Sequence, residues 1–119
     1  MNSNWNRMLT IALRAAAGAA WTAEEAPRQV FHGTLVDAGC MERTACPITA
    51  GTRAFALLLA DGRLLDLDEG GTTFASAALN GSKDGRALIN GTADSIRPRA
   101  TVKGHLHGSK IVVDGLTLE

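Results

Sequence analysis

The sequence predicts an all-β fold with one short helix: a small five-stranded barrel preceded by an amino-terminal leader. Three observations carry this. Short apolar runs alternate with turn signals from Arg28 to the end of the chain, one stretch (Gly71–Gly81) has helical composition, and residues 1–27 differ in character from the rest. Of the 119 residues, 28–119 amount to one domain with a core small enough that a covalent staple is useful.

Residues 1–27 run from a short polar stretch with Arg7 through an alanine-rich apolar run to acidic residues. Small residues at Ala17-Gly18-Ala19 and Gly18-Ala19-Ala20 suit an export peptidase. Arg14 interrupts the run, which at about 12–16 residues is too short for a spanning helix. The segment is therefore expected to be a signal peptide or leader. The alternative is an amphipathic amino-terminal helix of a cytoplasmic protein.

In "QVFHGTLVD", Phe31 and Leu35 share one face and His32 and Thr34 the other, with Gly33 marking a bulge or strong bend. Two apolar runs in "RAFALLLADGRLLDLD" flank Asp61-Gly62, which predicts a two-residue type I′ hairpin. Thr72 or Thr73 is expected to cap the helix, Phe74, Ala78 and Leu79 to form its apolar stripe, and Asn80-Gly81 to end it. Residues 82–98 read as a loop with at most one short turn or strand. The last stretch is a second hairpin: Val102 and Leu106 alternate with Lys103, His105 and His107, Gly108-Ser109 turns the chain, and Ile111 and Val113 begin the return. Asp114-Gly115 is expected to bulge that strand. Five strands with a helix between the third and fourth is the element order of the OB-fold, a Greek-key barrel whose closure hides its edges. SH3-like barrels are the rival.

Gly33, Leu35, Asp37 and Cys40, then Cys46, Asp61-Gly62, Leu67, Val102, Gly104, Gly108 and Ile111 together form a pattern over about residues 29–119. It resembles a group of small exported bacterial OB-fold-like proteins of uncharacterised function. More distantly it is similar to periplasmic OB-fold proteins linked to stress tolerance and small-ligand binding. The resemblance implies an envelope or secreted location and carries no catalytic residue across.

Cys40 and Cys46 are the only cysteines. Joined, they close a short ring that removes roughly 2 kcal/mol of unfolded-state freedom. Catalytic dithiols favour C-x-x-C at a helix start, and a zinc site needs further ligands. A structural disulfide is the leading expectation, with reduced thiols and redox or metal work as the alternatives. The three histidines offer a sharper possibility. His105 and His107 share a face of one strand, and barrel closure can bring His32 alongside to complete a Zn²⁺ or Cu²⁺ site. The plainer reading is three exposed polar residues on alternating strands. Asp66, Asp68 and Glu69 can hold Ca²⁺, but no calcium-loop spacing accompanies them and a solvated strand end is the plainer account. Neither a G-x-S-x-G elbow nor a phosphate-binding glycine motif occurs.

Twelve basic and twelve acidic side chains balance, and rings are few, with three Phe, two Trp and no Tyr. Both facts argue against a nucleic-acid partner. The expectation is an exported (periplasmic or secreted), monomeric or weakly associating, non-catalytic barrel without a cofactor. It binds a small ligand or an envelope protein through Arg53, Arg63 and Asp66 on the second and third strands, with the cysteine loop and the Gly108-Ser109 turn as rim. The alternatives are a metal or thiol-redox protein using His32, His105 and His107 or Cys40 and Cys46, and a structural interaction module of the envelope.

Overall fold

A computed structural model of the chain describes residues 27–40 and 45–119. The expected leader, up to residue 26, lies outside the described residues, as does the interior of the cysteine loop. The elements are β1 (Gln29–Asp37), β2 (Phe55–Leu59), β3 (Leu64–Leu67), α1 (Glu69–Asn80), α2 (Lys83–Asn90), β4 (Arg99–His107) and β5 (Lys110–Leu118). The strands close in the order β1-β2-β3-β5-β4, antiparallel throughout except for β3 beside β5. This is the expected five-stranded OB-type barrel, with two helices rather than one between β3 and β4. No helix among the described residues is long and apolar enough to cross a membrane.

Closure depends on β1. Its first half pairs with β4 and its second half with β2, and Gly33 and Thr34 pair on both sides. One strand can serve both partners only if it coils tightly at the hand-over. Gly33 sits at that point, where a β-carbon would run into the Leu58 carbonyl. The ladder keeps its register there, so Gly33 marks a bend and not a bulge. Inward residues Phe31, Leu35, Leu57, Leu65, Leu67, Val102, Ile111 and Val113 fill the barrel, and Ile48, Ala75, Leu79 and Leu88 close one end.

The first hairpin differs from the expected two-residue turn. Gly62 N–H donates to Leu59 O at 3.0 Å, Leu59 N–H to Arg63 O at 2.9 Å, and Gly62 has φ +92°. The loop is therefore three residues, Ala60 to Gly62, with only the glycine needing the left-handed region. In the second hairpin Gly108 and Ser109 make the turn as expected. Lys103 pairs with Gly115 and Gly104 with Val113, so Asp114 is the extra residue of the expected bulge.

Helix α1 begins earlier than the threonines suggest. Asp68 caps it, accepting from Gly71 N–H at 2.8 Å. The same oxygen accepts from Val113 N–H at 3.2 Å, which ties the helix start to β5. The buried stripe is Gly71, Ala75 and Leu79, and Phe74 is left 40% exposed. Small residues win that face because a β-carbon at position 71 would meet Val113 and Leu67. Asp68→Ala removes both bonds and is expected to cost about 2 kcal/mol by urea denaturation, with Asp68→Asn recovering most of it.

Helix α2 replaces the expected loop. Ser82 caps it through Gly85 N–H at 2.9 Å, Gly85 and Leu88 are buried, and Gly91 ends it. An eight-residue helix with one large buried apolar side chain owes its existence to packing, since short helices are marginal alone. Beyond it, Ile96 and Ile48 exchange backbone bonds at 2.9 and 3.0 Å, joining this segment to the loop after β1.

Candidate functional site

The loop from Ala38 to Ala54 is built around Asp37. Its carboxylate accepts from Gly39 N–H at 2.7 Å and from the Thr52 hydroxyl at 2.8 Å, while its own N–H donates to Cys46 O at 3.0 Å. Ala38 N–H donates to Ala54 O at 2.9 Å, so entry and exit of the loop lie together. Cys40 and Cys46 form a disulfide, S–S 1.99 Å with 6.1 Å between α-carbons. The clasp expected from the sequence is present, and it closes a loop already tied at Asp37. Cys40→Ala/Cys46→Ala, or reduction (a gain of roughly 2 Da), is expected to cost about 2 kcal/mol in a urea titration.

The outer face of β2 and β3 lies between this loop and the β4–β5 turn. Strand register sets two rows across it. One runs Thr34, Leu58, Leu64; the other runs Val36, Ala56, Asp66, Lys110. Val36 and Ala56 are fully buried although they point away from the barrel interior, and Leu58 and Leu64 are half-buried. Asp66 N–H donates to Ser109 O at 3.1 Å, which seats the Gly108-Ser109 turn against β3.

Of the three residues expected on this face, Asp66 stands on it, in register with Lys110. Arg53 is exposed at the exit of the clasped loop, next to β2. Arg63 belongs to the hairpin: its Nε is 2.9 Å from Asp61 Oδ2, and its N–H donates to Asp61 Oδ1 at 3.0 Å. The backbone bond from Arg63, then the side-chain bond, hold the Asp61 carboxyl below the usual carboxylate range. Sequence reasoning passed over Leu58, Leu64 and Lys110. The signal for the leucines was present in "FALLL" and "LL", where apolar residues occupy both parities of strands that need only one apolar face.

The histidines do not converge. His32 is in register with Thr101, whereas His105 and His107 lie four and six residues farther along β4. At about 3.3 Å per residue that places them roughly 13 and 20 Å away. His32 Nδ1 sits 3.1 Å from the Thr101 hydroxyl and 3.9 Å from Glu119 Oε2. That hydroxyl donates to Glu119 Oε2 at 3.1 Å, so the imidazole Nδ1–H is the donor to Thr101. Asp68, one of the three acids weighed for calcium, is spent as a helix cap. Among the described residues no group of three His, Cys, Asp or Glu side chains is placed to hold a metal ion.

No family model, curated protein or solved structure matches this chain.

Proposed function

We propose that the protein is an exported binding module that takes a small amphipathic ligand, or a short protein segment of the same chemistry, on the outer face of β2 and β3. The observation that carries this reading is the half-buried pair Leu58 and Leu64 beside Asp66 and Lys110, framed by the clasped loop and the Ser109 turn. An apolar ledge next to opposite charges suits a ligand with a flat apolar body and polar ends. The disulfide supports an oxidising compartment, where such bonds persist. A rim tied at Asp37 and by the disulfide lowers the ordering cost of binding.

A fragment screen read by amide chemical shifts tests it. Hits are expected to perturb Leu58, Leu64, Asp66 and Lys110 together, and Leu58→Asp to abolish them while the barrel stays folded. Hits that cluster elsewhere, or persist in Leu58→Asp, refute the assignment.

A further inference from the structure

The outer side of β1, β4 and β5 carries charge unlike the rest of the barrel. All three histidines of the chain lie on it, His32 on β1 and His105 and His107 on β4. Arg28, Arg99, Lys103 and Lys110 share it, against two carboxylates, Asp114 and Glu119. Elsewhere the described residues hold five cations and seven carboxylates, so this face carries two net positive charges and the rest of the described residues two net negative ones. At the middle of this face is a groove of about 320 Å³ lined by Arg28, Gln29, Val30, Lys103 and Asp114. Val30 is 53% exposed there, opposite Lys103.

From these positions we infer that the β1–β4–β5 face is a docking surface for a bilayer containing acidic phospholipid, strengthened by acidification. Charge complementarity selects an anionic partner, and acidification adds to it because histidine ordinarily changes charge between pH 5 and 8. Each histidine has charged neighbours among the described residues. His32 faces Thr101 and Glu119, with Arg99 and Lys103 flanking on β4. His105 is in register with Val112, between Lys110 and Asp114 of β5. His107 is in register with Lys110, which borders Asp66 of β3. Asp114 is already held by Arg28 at 3.2 Å, whereas Glu119, 3.9 Å from His32 Nδ1, offsets charge gained there, so the added charge left uncompensated falls at His105 and His107. An exposed valine among cations suits a headgroup layer, and the described residues of this face hold no aromatic platform of the kind on which single-stranded nucleic acid stacks.

The test is co-sedimentation of the full chain with phosphatidylglycerol–phosphatidylcholine vesicles and with phosphatidylcholine alone. Because every variant keeps the amino-terminal apolar run, differences between variants report this face. Binding to the anionic vesicles is expected to rise roughly tenfold from pH 7.5 to pH 5.5 and to fall at high salt. Arg99→Glu/Lys103→Glu, both at exposed positions, is expected to lose most of the binding, and Gln at all three histidine positions to lose the pH response. Equal binding to neutral vesicles, indifference to the charge reversals, or binding to heparin without binding to vesicles overturns the inference. Lys110 borders both surfaces, but Leu58→Asp alters only the β2–β3 face and Arg99→Glu/Lys103→Glu only this one, so the two readings fail separately.

Discussion

Gly33→Ala is expected to destabilise the barrel by about 3 kcal/mol, although the same change in an open strand would stabilise it. The reason is geometric. At Gly33 the chain is paired on both sides, and the added methyl would occupy the space of the Leu58 carbonyl. Neither strand can retreat without breaking its ladder. For a domain of this size that loss is a large share of a total of roughly 5–10 kcal/mol. The midpoint of urea unfolding should fall with the slope nearly unchanged. Gly115→Ala is the control: nothing lies within 4 Å of a β-carbon there, so the change should be neutral or slightly stabilising. Equal effects at the two positions would mean that the hand-over of β1 between its partners does not limit closure.

Leu57→Ala is expected to cost a comparable 3 kcal/mol or so, for a different reason. Leu57 is fully buried and in register with both Leu35 and Leu65, so its removal opens a cavity between three strands. For a domain of this length the melting temperature should drop by roughly 15 °C. Leu57→Met keeps most of the volume and should lose less than half as much. The substitution also separates stability from binding. Leu57 points inward beneath Ala56 and Leu58, so a folded Leu57→Ala protein should still show fragment shifts on the outer face at low temperature. If those shifts vanish while the barrel remains folded, the outer face depends on core packing more than the proposal allows.

The strands could be read in the sequence because alternation and turn residues act locally. Phe31, Gly33 and Leu35 point one way whatever the partner strand is, and Gly108-Ser109 turns the chain by itself. The Asp114 bulge was legible for the same reason. Helix positions were less so. The expected stripe is Phe74, Ala78 and Leu79; Leu79 is buried, but the barrel accepts only small residues where α1 crosses β5, and Gly71 and Ala75 complete the buried stripe in place of Phe74 and Ala78. Helix α2 has one large buried apolar residue, Leu88, and no local pattern announces a helix that exists through contact.

Candidate sites divide along the same line. That Cys40 and Cys46 can reach each other follows from their spacing, and a ring this short needs no knowledge of the rest of the fold. Whether His32 stands near His105 depends on the register between β1 and β4, which pairs His32 with Thr101. That register separates the histidines along the strands while keeping all three on one face.

By itself, then, the sequence determined the strand set, the second hairpin turn, the bulge and the loop clasp, all of which rest on a few neighbouring residues. Tertiary structure alone decided the strand register, the second helix, the half-burial of Leu58 and Leu64 beside Asp66 and Lys110, and which charges share a face. Each of these depends on which distant segments become neighbours, and that is settled by how a small closed sheet fills its interior.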